Sequence, residues 1–145
     1  MSYTERFSEV HELLASISPQ TANGTVGEHN TGWFFAGNHH RFIIMLTNGE
    51  PGGASTIDVD VEEATTQNGG GAQDIVKAIA QQVAADAGET TLAELRTEEM
   101  DVDNDYDWLN IEVTVAVNTY TYDLKVFGVV PRYAPVSVTG VTVVD

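Results

Sequence analysis

Tyr3, Phe7, Val10, Leu14 and Ile17 recur at spacings of four, three, four and three, the period of one helical face. The spacing predicts an amphipathic helix, with Ser2 and Glu5 as a capping box and Ser18-Pro19 as its stop. Residues 20–32 are small, polar and glycine-containing and read as an extended connector. Beyond them the pattern shortens to strands. Trp33-Phe34-Phe35 and Arg41 to Leu46 are apolar runs bounded by Gly37-Asn38 and Asn48-Gly49, as in strands buried deeply or on both faces. Ile57, Val59 and Val61 alternate with Asp58, Asp60 and Glu62, which predicts a strand with one wet face.

Residues 73–87 are alanine-rich and place Ile75, Ile79 and Val83 four apart, so local propensity favours a second helix. Leu92 to Arg96 alternates as a strand, and Leu109 to Thr119 carries Ile111, Val113, Val115 and Val117 at period two. Tyr120 to Asp123 reads as a hairpin turn or bend, Leu124 to Val130 as the return strand, and Val136, Val138, Val141 and Val143-Val144 as a last strand. The expected fold is mainly β: an antiparallel β-sandwich, jelly-roll-like or immunoglobulin-like, with an N-terminal helix or arm and one further helix. Its division is an N-terminal helix and extended arm over residues 1–32 and a single β-rich domain over 33–145.

Charge narrows the partners. Of 145 residues, 22 are Asp or Glu and six are Lys or Arg, a formal net charge of −16. Such a chain repels phosphate backbones and anionic lipid, so neither nucleic acid nor membrane is an expected partner. With 42% hydrophobic residues it is too apolar for a disordered acidic tail. The absence of cysteine excludes disulfides, thiolate nucleophiles and zinc-thiolate sites. The N-terminus lacks the basic start and apolar stretch of a secretory signal, so the mature chain is expected to be the whole chain.

Candidate chemistry is sparse. Asp101, Asp103, Asp105 and Asp107, with Glu112 closing a twelve-residue window, follow the ligand spacing of an EF-hand calcium loop. Tyr106 stands where that loop turns on glycine, and a solvated acidic turn leading into a strand explains the same letters. Asp101, Asp103, Asp105 and Glu112 are the candidate calcium ligands, and no other cofactor is expected. His39 and His40 are adjacent on a strand and point to opposite faces, so the pair does not ligate one metal from one regular strand; a site assembled with His29 through the loop is the alternative to ordinary loop histidines near Arg41, and no spaced carboxylate or thiolate partner marks a metal set. Nothing resembles a nucleophile elbow, and Gly69-Gly70-Gly71 lacks the Gly-Lys-Ser/Thr of a phosphate loop. The chain is expected not to be an enzyme. Trp33, Phe34, Phe35, Tyr106 and Trp108 have the chemistry to stack on a sugar, but aromatics at strand starts more often anchor a core.

The order of several segments resembles a family of small structural proteins of tailed bacteriophages, the head decoration or cement proteins. The resemblance is carried by Ile17-Ser18-Pro19-Gln20, Thr31-Gly32-Trp33-Phe34, the His40-Arg41-Phe42 strand ending at Gly49, and Ile57 to Thr65. It continues through Glu98-Glu99-Met100-Asp101 with Tyr106-Asp107-Trp108, and Arg132-Tyr133-Ala134-Pro135. It departs at residues 73–87, which read as helix here and as strand in the family. The resemblance implies a β-rich virion protein, made in the host cytoplasm, that binds the major capsid protein on the outer capsid surface and stabilises the shell. It also implies self-association, with a trimer on the capsid as one form. Phe7, Val10, Leu14 and Ile17 in the arm and Val136, Val138 and Val141 in the last strand are the candidate interface residues, because such segments can pair with or wrap a neighbour. The rival readings are a β-sandwich module binding glycan or calcium, and a phage tail or connector protein.

Overall fold

A computed structural model describes residues 11–18 and 26–131. Among them are nine strands: β1 (His11–Ile17), β2 (Gly27–Asn30), β3 (Phe34–Phe35), β4 (His39–Pro51), β5 (Thr56–Ala64), β6 (Gln73–Gln82), β7 (Thr90–Arg96), β8 (Trp108–Ala116) and β9 (Tyr120–Pro131). One sheet runs β1-β9-β4-β7 and the other β2-β8-β5-β6, with β3 paired to β8, and every pairing is antiparallel. The two sheets pack as a β-sandwich. The only helical elements among the described residues are single 3-10 turns at Ala84–Asp86, Thr97–Glu99 and Val102–Asn104.

Alternation puts one face of each long strand inside. In β4, Phe42, Ile44 and Leu46 are buried while Arg41, Ile43, Met45 and Thr47 point out. In β5, Ile57, Val59 and Val61 face them, with Asp58, Asp60 and Glu62 outside. Ile111, Val113 and Val115 of β8 and Leu124 and Val126 of β9 complete a single core. Each such side chain contributes about 1.5–3 kcal/mol when fully buried.

The helix expected over residues 73–87 is corrected, as is the part of the N-terminal one that falls on described residues, for one shared reason. Residues 73–82 form β6, whose register against β5 runs Ile57↔Gln82, Val59↔Ile79, Val61↔Ile75. Two residues of β5 are thus matched by three and then four of β6. The bulges absorb the four-residue spacing and return Ile79 to the core, with Ile75 packed against it. Likewise His11–Ile17 is strand β1, and its register slips between Leu13 and Ala15. That bulge lets Leu14 and Ala15 pack against the core and buries Ile17. Of the expected interface residues, Ile17 is buried in the core of its own domain and Leu14 packs partly against it. Tyr3, Phe7, Val10 and the Ser2–Glu5 capping box lie outside the described residues, as do Val136, Val138 and Val141.

Of the residues expected in the arm, His11–Ile17 and Gly27–Asn30 are strands β1 and β2 of the two sheets. Tyr120 and Tyr122, expected in a turn, are buried in β9. The reversal falls instead on Val117 to Thr119, where Val117 has left the strand with φ 72° and is exposed.

At the corner where β1, β9 and β4 meet, Gly128 lies under the buried ring of His39. A Cβ at position 128 would stand 2.6 Å from Cγ and Cδ2 of that ring. Gly128→Ala is therefore expected to cost about 1–3 kcal/mol by overpacking, read as a lowered denaturant midpoint. His39→Ala in the same chain should recover part of that loss. Equal costs in both backgrounds would show that the ring is not what Gly128 accommodates.

Candidate functional site

The two outward sheet faces are chemically unlike. On the β2-β8-β5-β6 sheet the registers line up Asn30, Glu112 and Asp60 in one row and Asn110, Glu62 and Asp74 in the next, with Glu28 opposite Thr114. Sequence alternation puts the acids outside, and strand pairing brings together acids from four separate strands. Burial raises the pKa of the Glu112 carboxyl above its ordinary value, and the negative charges of Glu28, Glu62, Asp60 and Asp74 raise it further. Asn110, itself buried, bridges this face: its Nδ2 donates to Asn30 Oδ1 and to Glu62 Oε2, each at 2.7 Å, and its Oδ1 accepts from Thr31 Oγ1.

The other sheet turns hydrophobic side chains outward. Leu13, Phe127 and Ile43 form one cross-strand row that ends on Glu94, and Met45 and Leu92 share the next with Lys125 and Ser16. Arg41 and Arg96 sit directly opposite each other at the end of this face, and Arg41 is also opposite Val129. Glu94 lies between the arginines, 3.2 Å from Arg41 Nε and 3.9 Å from Arg96 Nε, while Arg96 Nη1 reaches Glu98 at 3.3 Å. Beside them His40, Arg41, Arg96, Thr97 and Glu98 line an open cleft of about 240 Å³.

The acidic loop is built differently from the calcium reading. The Asp101 carboxylate accepts from Asn104 Nδ2 at 2.8 and 3.0 Å, and the Asp101 backbone N–H donates to the buried Glu63 carboxylate at 2.9 Å. Asp103 is exposed within the 3-10 turn, and Asp105 makes the reversal itself, at φ 65°. Glu112 belongs to the outer face of β8, not to this loop. Among the described residues, no three His, Asp or Glu side chains are grouped to hold a metal ion.

The histidines separate as alternation requires. His39 is buried and His40 exposed, whereas His29, in the other sheet, has its ring 6.3 Å from that of Tyr122. His39 Nε2 stands 3.3 Å from Glu12 Oε2; burial holds the imidazole below its ordinary pKa and the carboxyl above its own. Of the aromatics, Phe34 packs against the core, and Phe35 meets Trp108 edge-on at 5.5 Å. Trp33 covers Gly69.

No protein-family model matches the sequence, and no curated protein matches it. Among solved structures, the chain is similar to an acetyl xylan esterase from the rumen bacterium Butyrivibrio proteoclasticus. The TM-score is 0.38 and the identity 11%, over 93% of this chain and 33% of that one. The chain thus spans about a third of that protein's length, and a likeness of this degree assigns no activity.

The acidic face carries a stability consequence with a definite sign. The folded-state pKa of Glu112 is raised, so its contribution to stability is fully present below the ordinary carboxylate value of 4.5 and is lost as pH rises through the raised folded value. Glu112→Gln should raise stability at pH 7 by about 0.2–1 kcal/mol, the cost of like charges across strands. The gain should shrink below pH 4.5 and in ~1 M salt, where the Debye length is about 3 Å. Thermal melts at two pH values and two salt concentrations measure it; a gain independent of both would exclude charge repulsion as its cause.

Proposed function

We propose that the protein is a structural decoration protein that binds the outer surface of a phage capsid and performs no catalysis. Charge segregation is the observation that supports this reading. Acids of four strands gather on the outer face of one sheet, while Arg41 and Arg96, paired with Glu94 and Glu98, sit on the other, beside the end of β9 from which residues 132–145 continue. A module attached at that end presents its acidic face to solvent. Net charge of −16 would make an inner position costly against packaged DNA, which carries one charge per ~1.7 Å of duplex. On the outside the same charge is screened within about 8–10 Å and keeps particles apart.

Attachment then uses the arginine end together with the valine-rich segment at 136–144. Repeated weak contacts over a symmetric shell supply avidity, and the arginines suit carboxylates on the capsid protein. The test is co-sedimentation with emptied, expanded shells of the phage that encodes the chain. Wild-type protein should bind. Arg41→Glu with Arg96→Glu, or Val138→Asp with Val141→Asp, should reduce bound protein by roughly tenfold, as for truncated interface contacts worth about 1.4 kcal/mol or more. Asp60→Asn should leave binding unchanged. Absence of wild-type binding, or loss only with the acidic-face variant, would overturn the reading.

A further inference from the structure

We infer that the aromatic end of the β2-β8-β5-β6 sheet is a binding site for a neutral glycan. Phe34 and Leu109 pack with the core, so their neighbours Phe35 and Trp108, paired across β3 and β8, stand on the outward face of that sheet. Phe35 is 41% exposed, yet its ring is held. It meets Trp108 edge-on at 5.5 Å, and a Cβ at position 37 would come within 2.4 Å of its Cζ. The ring is thus seated in the space that Gly37 leaves open. A ligand that orders a loose aromatic side chain loses binding energy to rotamer entropy, and here the fold has already ordered it.

The groups beside this pair suit hydroxyls. In β5 the aromatic row continues to Ala64, which adds only a methyl group. One row along, about 7 Å away, lie Asn110, Glu62 and Asp74, and beyond them Asn30, Glu112 and Asp60. Asn110 is 3% exposed and donates from Nδ2 to both Asn30 and Glu62. It is a positioning residue, fixing the exposed Asn30 amide and the half-buried Glu62 carboxylate. A ring to stack against C–H groups, next to fixed carboxylate and amide groups, matches the two kinds of surface that a pyranose offers. The acids also select among glycans, since uronate, sialate and sulfate groups are repelled from these rows. A cation beside an aromatic ring is the competing ligand chemistry; the amides of Asn30 and Asn110 within the same rows favour hydroxyl groups.

Co-sedimentation of the purified full-length chain with insoluble cellulose, β-mannan or granular starch tests this site. Wild-type protein should sediment with at least one of the three. Phe35→Ala, a change at an exposed ring, should weaken that binding roughly tenfold, the effect of losing one stacking contact. Trp108→Ala should abolish it, with a denaturant midpoint measured on the same sample, and Leu92→Ser on the opposite sheet should leave it unchanged. Binding should persist in ~1 M salt, where charge attraction is screened beyond about 3 Å, and cross-linked polygalacturonate should retain nothing. Absence of binding to all three neutral polysaccharides, or undiminished binding of Phe35→Ala, would overturn the assignment. So would loss of binding in high salt together with displacement by tetramethylammonium, which would identify a cation site instead. No capsid enters these measurements, so their failure is separate from failure of the decoration reading.

Discussion

The sandwich depends on a parity constraint. Four long strands, β4 and β9 in one sheet and β5 and β8 in the other, must each present the same alternate positions to a shared core. A slip of one residue would send a whole hydrophobic set into solvent. Phe42, Ile44 and Leu46 therefore fix the phase of β4, and Leu124 and Val126 fix that of β9 through the pairings Phe42↔Gly128 to Asn48↔Tyr122. The outer strands adapt to this frame. Where their apolar residues come at odd intervals, the backbone bulges instead of changing partner, as in β1 at Leu14 and twice in β6.

That division explains what could be read from the chain alone. The strict alternation of Ile57 to Glu62 and of Ile111 to Val115 was legible because those strands pair on both sides and follow period two without interruption. Residues 11–17 and 73–82 were not. Apolar spacings of three and four are the mark of a helix in an isolated segment, and only the partner strand reveals that a bulge restores them to one face. Tyr120 and Tyr122 misled for a related reason. Their Thr and Asp neighbours suggest a turn, whereas the core of the sheet takes both rings and moves the reversal to Val117. β2 had no alternation to announce it; Gly27–Asn30 is a strand because the edge of β8 lies beside it.

The candidate surfaces divide in the same way. Each acid of β5 was readable as outward, but the association of Glu112 with Asp60, and of Glu62 with Asp74, arises from strand pairing between distant segments. Local spacing grouped Glu112 with Asp101, Asp103 and Asp105 instead. In a loop, however, residues two apart have no common direction unless the backbone turn supplies one. Here Asp101 is engaged by Asn104 and Asp105 makes the reversal. The opposition of Arg41 and Arg96 is equally nonlocal.

The acidic face does not serve the fold. Its carboxylates project from the side of the sheet opposite the core, and acids directly across neighbouring strands repel one another by a few tenths of a kcal/mol per pair. Neutral polar residues at the same positions would satisfy alternation equally well and relieve that repulsion. The buried hydrogen bonds from Asn110 and to Glu63 require only Glu62 and Glu63 among these acids. Asp60, Asp74, Glu112 and Glu28 thus weaken the domain slightly while setting the sign of its outer surface. Repulsion between particles, and avoidance of nucleic acid, are effects that a surface of this sign produces without specific contact.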